Sequence, residues 1–407
     1  MALGPENLSP ALVQKVVRHG GKDAFAEASE DLKEDVGIDV AAKQVERITE
    51  RIGSEWAAAR DDGVELFKQD KLPRLYSEKP AVVAVMPDGG RLLTRAAEQG
   101  PGVHAPEWKE PKYGCCLTLT TQPSKTDPQP DPPSKFIDPQ RVSKIVKDVK
   151  SRSGTSSPAP ATAPRRKKKK KKKKRLRRKG TAQVVRTVVA TMCESTAFGY
   201  MLATEAYLRN FDLAQRKAYV CDGQRYNWTI WEEHFHAWGF VPILDFLHLL
   251  TYLYDAAQAL GGGPGKAWER YERWLHWAWS GEREKLWAEL SAAAAKLGAP
   301  PKGAAEQDPR CILASAARYV ENNLTRMDYP CYRKLGLPIS SAPVESTIKQ
   351  FNRRVKGTEK FWLVGGAESI LQVRAAYLSQ DGRVDRLWTR PRPHYRAVGR
   401  NRAALVA

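Results

Sequence analysis

Two aspartates, Asp88 and Asp222, share one local setting in this 407-residue chain: each closes an apolar run and is followed directly by glycine, in AVVAVMPDGG and KAYVCDG. Such a run reads as a strand reaching its carboxyl end, where glycine leaves the backbone open to a ligand. Taken singly, Asp-Gly after a strand is a plain turn in most proteins. If the two strands are neighbours, both carboxylates project into one crevice, and a third acid from a helix completes an all-oxygen cage for two hard divalent cations. Glu345 is that third acid. In APVESTIKQFNRRVKG, Val344, Ile348, Phe351 and Val355 follow a 4-3-4 rhythm and form the buried stripe, while Glu345, Lys349, Asn352, Arg353 and Lys356 lie one position round. The alternative for Glu345 is a first-turn acid favoured by the helix dipole. Two ions held roughly 4 Å apart by three carboxylates can activate a water or a 3′-hydroxyl and stabilise the leaving oxygen of an in-line phosphodiester displacement. Lys349, Arg353, Arg354 and Lys356 are the candidates to hold DNA phosphates, against the reading of a solvated basic face.

The elements that must position these acids follow from the periodicity. Residues 1–75 read as helical, and GIDVAAKQVERITERIG has the turn-then-helix look of a helix-turn-helix with Asp39 as N-cap; a small bundle that only packs on its neighbour is the alternative. Over 76–121, AVVAVMPDGG, RLLTR and KYGCCLTLTT read as a three-stranded meander. Residues 122–180, rich in Pro, Ser and Lys, read as a disordered insertion. From 181 to 260 the chain predicts a helix over AFGYMLATEAYLRN, a strand ending at Asp222, a second helix, a strand over FVPILDF (240–246) and a third helix; the alternation implies parallel pairing. Residues 261–337 read as an all-α block rich in Trp, whose rings suit core packing better than base stacking, although stacking is the rival reading. Residues 338–390 carry the acidic helix and a last helix, and 391–407 a basic tail.

Sixty-seven Lys and Arg against forty-six Asp and Glu give +21, yet Arg165–Lys179 alone holds fourteen of the bases and no acid, leaving +7 on the rest of the chain. A basic body with a very basic tether favours a polyanion such as nucleic acid. The octalysine Lys167–Lys174 reads either as a low-complexity expansion or as a nonspecific DNA tether. No apolar run approaches the ~20 residues of a membrane span, so no membrane partner is expected. Six cysteines without C-x-x-C spacing argue against a disulfide framework or a zinc knuckle, and the N-terminus lacks a signal design; a soluble, intracellular protein is expected.

The phrases VVAVMPDGGRLL, YVCDGQRYNW, VPILDFLHLLTYLYDAA, YRKLGLPISSAPVESTIKQFNRRVKGTEKFW and AESILQVRAAYLS, in this order, closely resemble the DDE transposases of Kra-type bacterial insertion sequences, relatives of the Mutator-like transposases. The match covers roughly residues 80–121 and 181–390. The resemblance implies an α/β, ribonuclease H-like core with a mixed five-stranded sheet, an all-α insertion and an N-terminal helical DNA-binding region. It implies a DDE triad of Asp88, Asp222 and Glu345 holding two Mg²⁺ or Mn²⁺ ions, cutting transposon ends and joining them to target DNA. Paired-end cutting then implies a homodimer or larger assembly, in the bacterial cytoplasm at the nucleoid.

Asp245 and His248 match the family's Asp-x-x-His position after the last core strand. Asp245 is a rival to Asp222 for the triad, and it continues into a helix without a glycine. His248 reads either as a core histidine or as a donor that orients a metal-bound carboxylate or the scissile phosphate. Ser340-Ser341-Ala342-Pro343 departs from the Gly-Ser-Gly-like turn such transposases often carry before the glutamate. Two rival functions share these residues: a ribonuclease H-like nuclease without strand transfer, and a catalytically inactive, transposase-derived DNA-binding protein.

Overall fold

A computed structural model describes residues 8–96, 107–153, 183–357 and 360–389. The octalysine tract and the basic tail lie outside the described residues.

The described residues form seven strands: β1 Val82–Gly89, β2 Leu92–Thr94, β3 Glu107–Lys109, β4 Lys112–Leu119, β5 Gln183–Thr191, β6 Arg216–Cys221 and β7 Val241–Leu244. Five of them make one sheet in the order β5-β4-β1-β6-β7, with β1/β4 and β4/β5 antiparallel and β1/β6 and β6/β7 parallel. In β1, Val82 to Met86 are all buried, which is why the run is continuously apolar instead of alternating: helices cover both faces of this sheet. Gly114 of β4 faces Phe198 and Leu202 of α5 (Ser195–Leu208), where any side chain would overlap Leu202. One residue on, Cys115 points the other way and its thiol meets Thr347 Oγ1 of α12 (Ala342–Val355) at 3.4 Å.

The mixed five-stranded sheet agrees with expectation in strand number but not in membership. RLLTR does not enter it; β2 instead pairs with β3 as a separate two-stranded ribbon at the end of β1. The fifth place is taken by QVVRTVVAT, β5, a stretch to which the periodicity assigns no element.

The expectation of disorder over 122–180 is corrected for its first half. Residues 134–136 make a 3₁₀ turn and α4 (Pro139–Ser153) follows, with Phe136, Val142, Val146 and Val149 buried. Its Lys150 pairs with Asp255 on α7 (Phe246–Ala259) at 2.7 Å, and Asp127, half-buried, pairs with the buried Arg333 at 2.5 Å. The Pro-rich segment thus lies along the body of the protein.

The N-terminal helices α1 (Pro10–Lys22), α2 (Phe25–Val36) and α3 (Ala42–Lys68) share a core of Val13, Val17, Leu32, Ile48, Ile52 and Trp56 that is completed by Val373 and Ala376 of α13 (Val364–Leu378). Gly37, at φ 69°, makes the expected turn between α2 and α3, but the residue at the start of α3 is Ala41, while Asp39 is exposed and pairs with Lys33. Gly53 lets α3 lie against the backbone of Ser369, so α3 is built into the body along α13.

α6 (Arg225–Ile230) follows β6, and beyond α7 the segment 261–337 that precedes the acidic helix is helical as expected: α8 (Gly263–Ser280), α9 (Arg283–Leu297), α10 (Pro309–Asn323) and α11 (Tyr329–Lys334). Trp274 and Trp279 are buried in its core. A short α14 (Arg383–Thr389) follows α13. Among the described residues no helix is long and apolar enough to cross a membrane.

Candidate metal centre

The parallel pairing of β1 with β6 sets the carboxyl ends of both strands side by side, and α12 begins beside them. Asp88, Asp222 and Glu345 together line one cavity of about 280 Å³, with His248, Arg91 and Lys356 on the same wall. All three sequence-predicted acids therefore meet, although they are contributed by three distant segments.

Each is held differently. Asp88, at the end of β1, accepts a hydrogen bond from the Gly89 N–H at 2.7 Å. Burial and then the nearby charge of Asp222 push its carboxyl up to about 7, opposed by His248. Asp222 accepts from the Gln224 N–H at 3.1 Å and from Asn227 Nδ2 at 3.0 Å, an Asx turn that leads into α6. Its own carbonyl accepts the Tyr319 hydroxyl of α10 at 2.7 Å. Gly223 follows at φ 88°, and a side chain there would press on Leu244 and the Tyr319 ring. The helical insertion thus touches the loop that carries Asp222. Glu345 lies in the first turn of α12, 6% exposed, with Ser341 Oγ 3.5 Å from its Oε1.

Asp245 sits beneath this cavity. It is fully buried at the start of α7, where its Oδ2 accepts from the His248 N–H at 3.0 Å and from His248 Nδ1 at 2.6 Å. Its Oδ1 accepts from the Ser341 N–H at 2.9 Å. Burial pushes this carboxyl up, but the His248 bond and charge and the two backbone N–H groups outweigh it and hold it below the usual range. For His248, burial works against the charged form; the bond and charge of Asp245, followed by Asp222 and Asp88, prevail and raise it to about 9. Both shifts favour an imidazolium on a carboxylate. Asp245, His248 and Glu345 also have donor atoms all within 4.8 Å of one another. Asp245, the rival to Asp222, spends both oxygens on three N–H donors, whereas Asp222 lines the cavity.

The donor set suits a hard divalent ion. Three carboxylates face one space, and a cation between them would offset both the burial and the nearby Asp222 charge that lift Asp88.

The four basic candidates on α12 and at its C-terminal end separate. Lys356 lines the cavity, half-buried, its ammonium pushed down by burial and then by Arg91. Lys349 and Arg353 are exposed, with Lys349 4.0 Å from Asp148 on α4. Arg354 is not available to DNA: it is 2% exposed, donates from Nε to the Gly20 carbonyl at 2.9 Å and lies over the Phe25 and Trp362 rings. Residue 354 follows Phe351 by three, which places it on the edge of the buried stripe. Arg91, Gln224 and Tyr319 were not singled out from sequence; Arg91, three residues after Asp88 in DGGR, carried a signal, while Tyr319, 97 residues from Asp222, carried none.

No protein-family model matches the chain, and no curated protein matches it.

Proposed function

We propose that this chain is a DDE-type DNA transposase with a ribonuclease H-like core, of the kind found in Kra-type bacterial insertion sequences. The observation that carries the reading is the convergence of Asp88, Asp222 and Glu345 on one cavity from β1, β6 and α12. The order of the sheet supports it too, since a central β1 with β4 antiparallel on one side and β6 parallel on the other sets the acids at one end.

Asp88 and Asp222 would hold or bridge two Mg²⁺ or Mn²⁺ ions, and Glu345 would bind one of them. Bound there, such ions supply charge stabilisation to the attacking and leaving oxygens of a phosphodiester. Asp245 fixes His248 as an imidazolium on the cavity wall, where it draws the scissile phosphate together with Arg91 and Lys356. Lys349 and Arg353, outside the cavity, meet phosphates further along the strand. The partners are transposon ends and target DNA; cutting two ends in concert calls for a homodimer or larger assembly, working at the nucleoid in the bacterial cytoplasm.

The test is nicking of DNA that bears the element's own terminal repeats. Purified protein with Mg²⁺ nicks at the ends and joins them to a target duplex, and Asp222→Ala abolishes both. Full cleavage by Asp222→Ala would overturn the assignment, and cleavage without joining would make the chain a nuclease.

A further inference from the structure

We propose that Trp108, on the ribbon beside the carboxylates, is a stacking platform for an unpaired nucleobase of the DNA strand that enters the cavity. The inference rests on the transposase reading for the identity of the strand, and on separate geometry for the platform.

Trp108 is the most exposed large apolar side chain among the described residues, 48% exposed, on a strand of only three residues. The ribbon register sets it directly opposite Leu93. Side chains alternate along a strand, so Leu92 and Thr94, both buried, face inward, while Leu93 and Trp108 share the outer face with Arg91. The Arg91 guanidinium lies 5.0 Å from the Trp108 ring centroid, and Arg91 also lines the cavity. Trp108 is thus joined to the site through one side chain. With a cation on one side and half its surface still open, the indole can take a planar, electron-poor ring, as base-stacking surfaces do.

The ribbon that presents this ring is anchored. Thr94 Oγ1 donates to the Glu107 carbonyl at 3.0 Å, the Arg95 N–H donates to the Trp362 carbonyl at 3.0 Å, and the Trp362 N–H donates to the Leu93 carbonyl at 3.2 Å. Both of its ends arrive from residues on the cavity wall, Arg91 and Glu110. A phosphate drawn to Arg91 and Lys356 would therefore place its neighbouring base over Trp108. The chemistry selects an aromatic base with no hydrogen-bond readout, so sequence choice at that nucleotide is weak.

The experiment uses the full chain in EDTA, so that cleavage is not required, and a single-stranded oligonucleotide carrying 2-aminopurine. Wild type binds and quenches the probe. Trp108→Ala binds about tenfold more weakly and loses the quenching, and Trp108→Leu, which keeps apolar bulk without a ring face, does the same. Trp108→Tyr retains both. Equal affinity and quenching in Trp108→Leu would overturn the proposal, even if Trp108→Ala fails to fold. The transposase reading fails separately, on nicking by Asp222→Ala; ring-dependent quenching in a chain that never nicks would keep the platform and discard the transposase.

Discussion

Asp245→Asn tests how the floor of the cavity is built. The carboxylate receives only donors: the Ser341 N–H on one oxygen, and the N–H and ring Nδ1 of His248 on the other. An asparagine offers one acceptor and one NH₂, so whichever way it turns, its NH₂ faces a backbone N–H. That buried conflict costs about 1–3 kcal/mol at any pH. The lost charge adds a pH-dependent part. His248 moves from 6.5 to about 9 on folding, an increase worth about 3 kcal/mol. A raised pKa stabilises the folded state fully below about pH 6.5, and this contribution disappears as pH rises through about 9. Asp245 supplies the larger share of the raise, ahead of Asp222 and Asp88. Urea unfolding of the metal-free protein should therefore show Asp245→Asn destabilised by about 4 kcal/mol near pH 6, as for other buried pairs stripped of one partner, and by clearly less near pH 10. A penalty that does not change with pH would refute the charge pair, and a penalty under about 1 kcal/mol near pH 6 would refute the whole arrangement.

Three further outcomes follow from other contacts. Asp381 is held at about 2 against its burial by Arg383, which also pairs with Glu205 at 2.7 Å; a depressed carboxyl stabilises above its unfolded value of 3.8 and loses that effect as pH falls toward 2. Acid unfolding curves should show about 2 kcal/mol less pH sensitivity in Asp381→Asn over that window, and an unchanged slope would count against the pair. Gly53→Ala should lower the melting temperature, costing about 1–3 kcal/mol despite the better helix propensity of alanine, because the added methyl would overlap the Ser369 carbonyl; a stabilised variant would contradict the packing of α3 on α13. Tyr319→Phe keeps the ring over Gly223 but drops the bond to the Asp222 carbonyl, so nicking should slow while DNA affinity stays, with about 1 kcal/mol lost from stability; unchanged nicking would separate the insertion from the site.

The parts of this structure that could be read from sequence are those with two independent local signals. Asp88 and Asp222 each combined an apolar run with a Gly turn, and Glu345 combined a buried stripe with a basic face one position round; the structure brings all three to one cavity. β5 was missed because its Arg186 and Thr187 break the apolar run, yet both are satisfied by distant partners, Arg186 by the Leu378 carbonyl and Thr187 by Asp381. Amphipathic α4 was hidden among Pro, Ser and Lys, and its apolar residues Val142, Val146 and Val149 gain meaning only against α7. Arg354 was misassigned because a guanidinium on a basic helix resembles a phosphate ligand, and only the fold brings Phe25 and Trp362 to its faces. Asp245 lacked the glycine that marked the other aspartates since its role is to start a helix and lock His248, for which a close turn is not needed.

The most direct measurement is Mn²⁺ binding to the purified chain, followed by the paramagnetic signal of the free ion. Two saturable sites should appear in the wild type and vanish in Asp88→Asn/Asp222→Asn/Glu345→Gln, with the fold intact by circular dichroism. Undiminished Mn²⁺ binding in that triple variant would contradict the account.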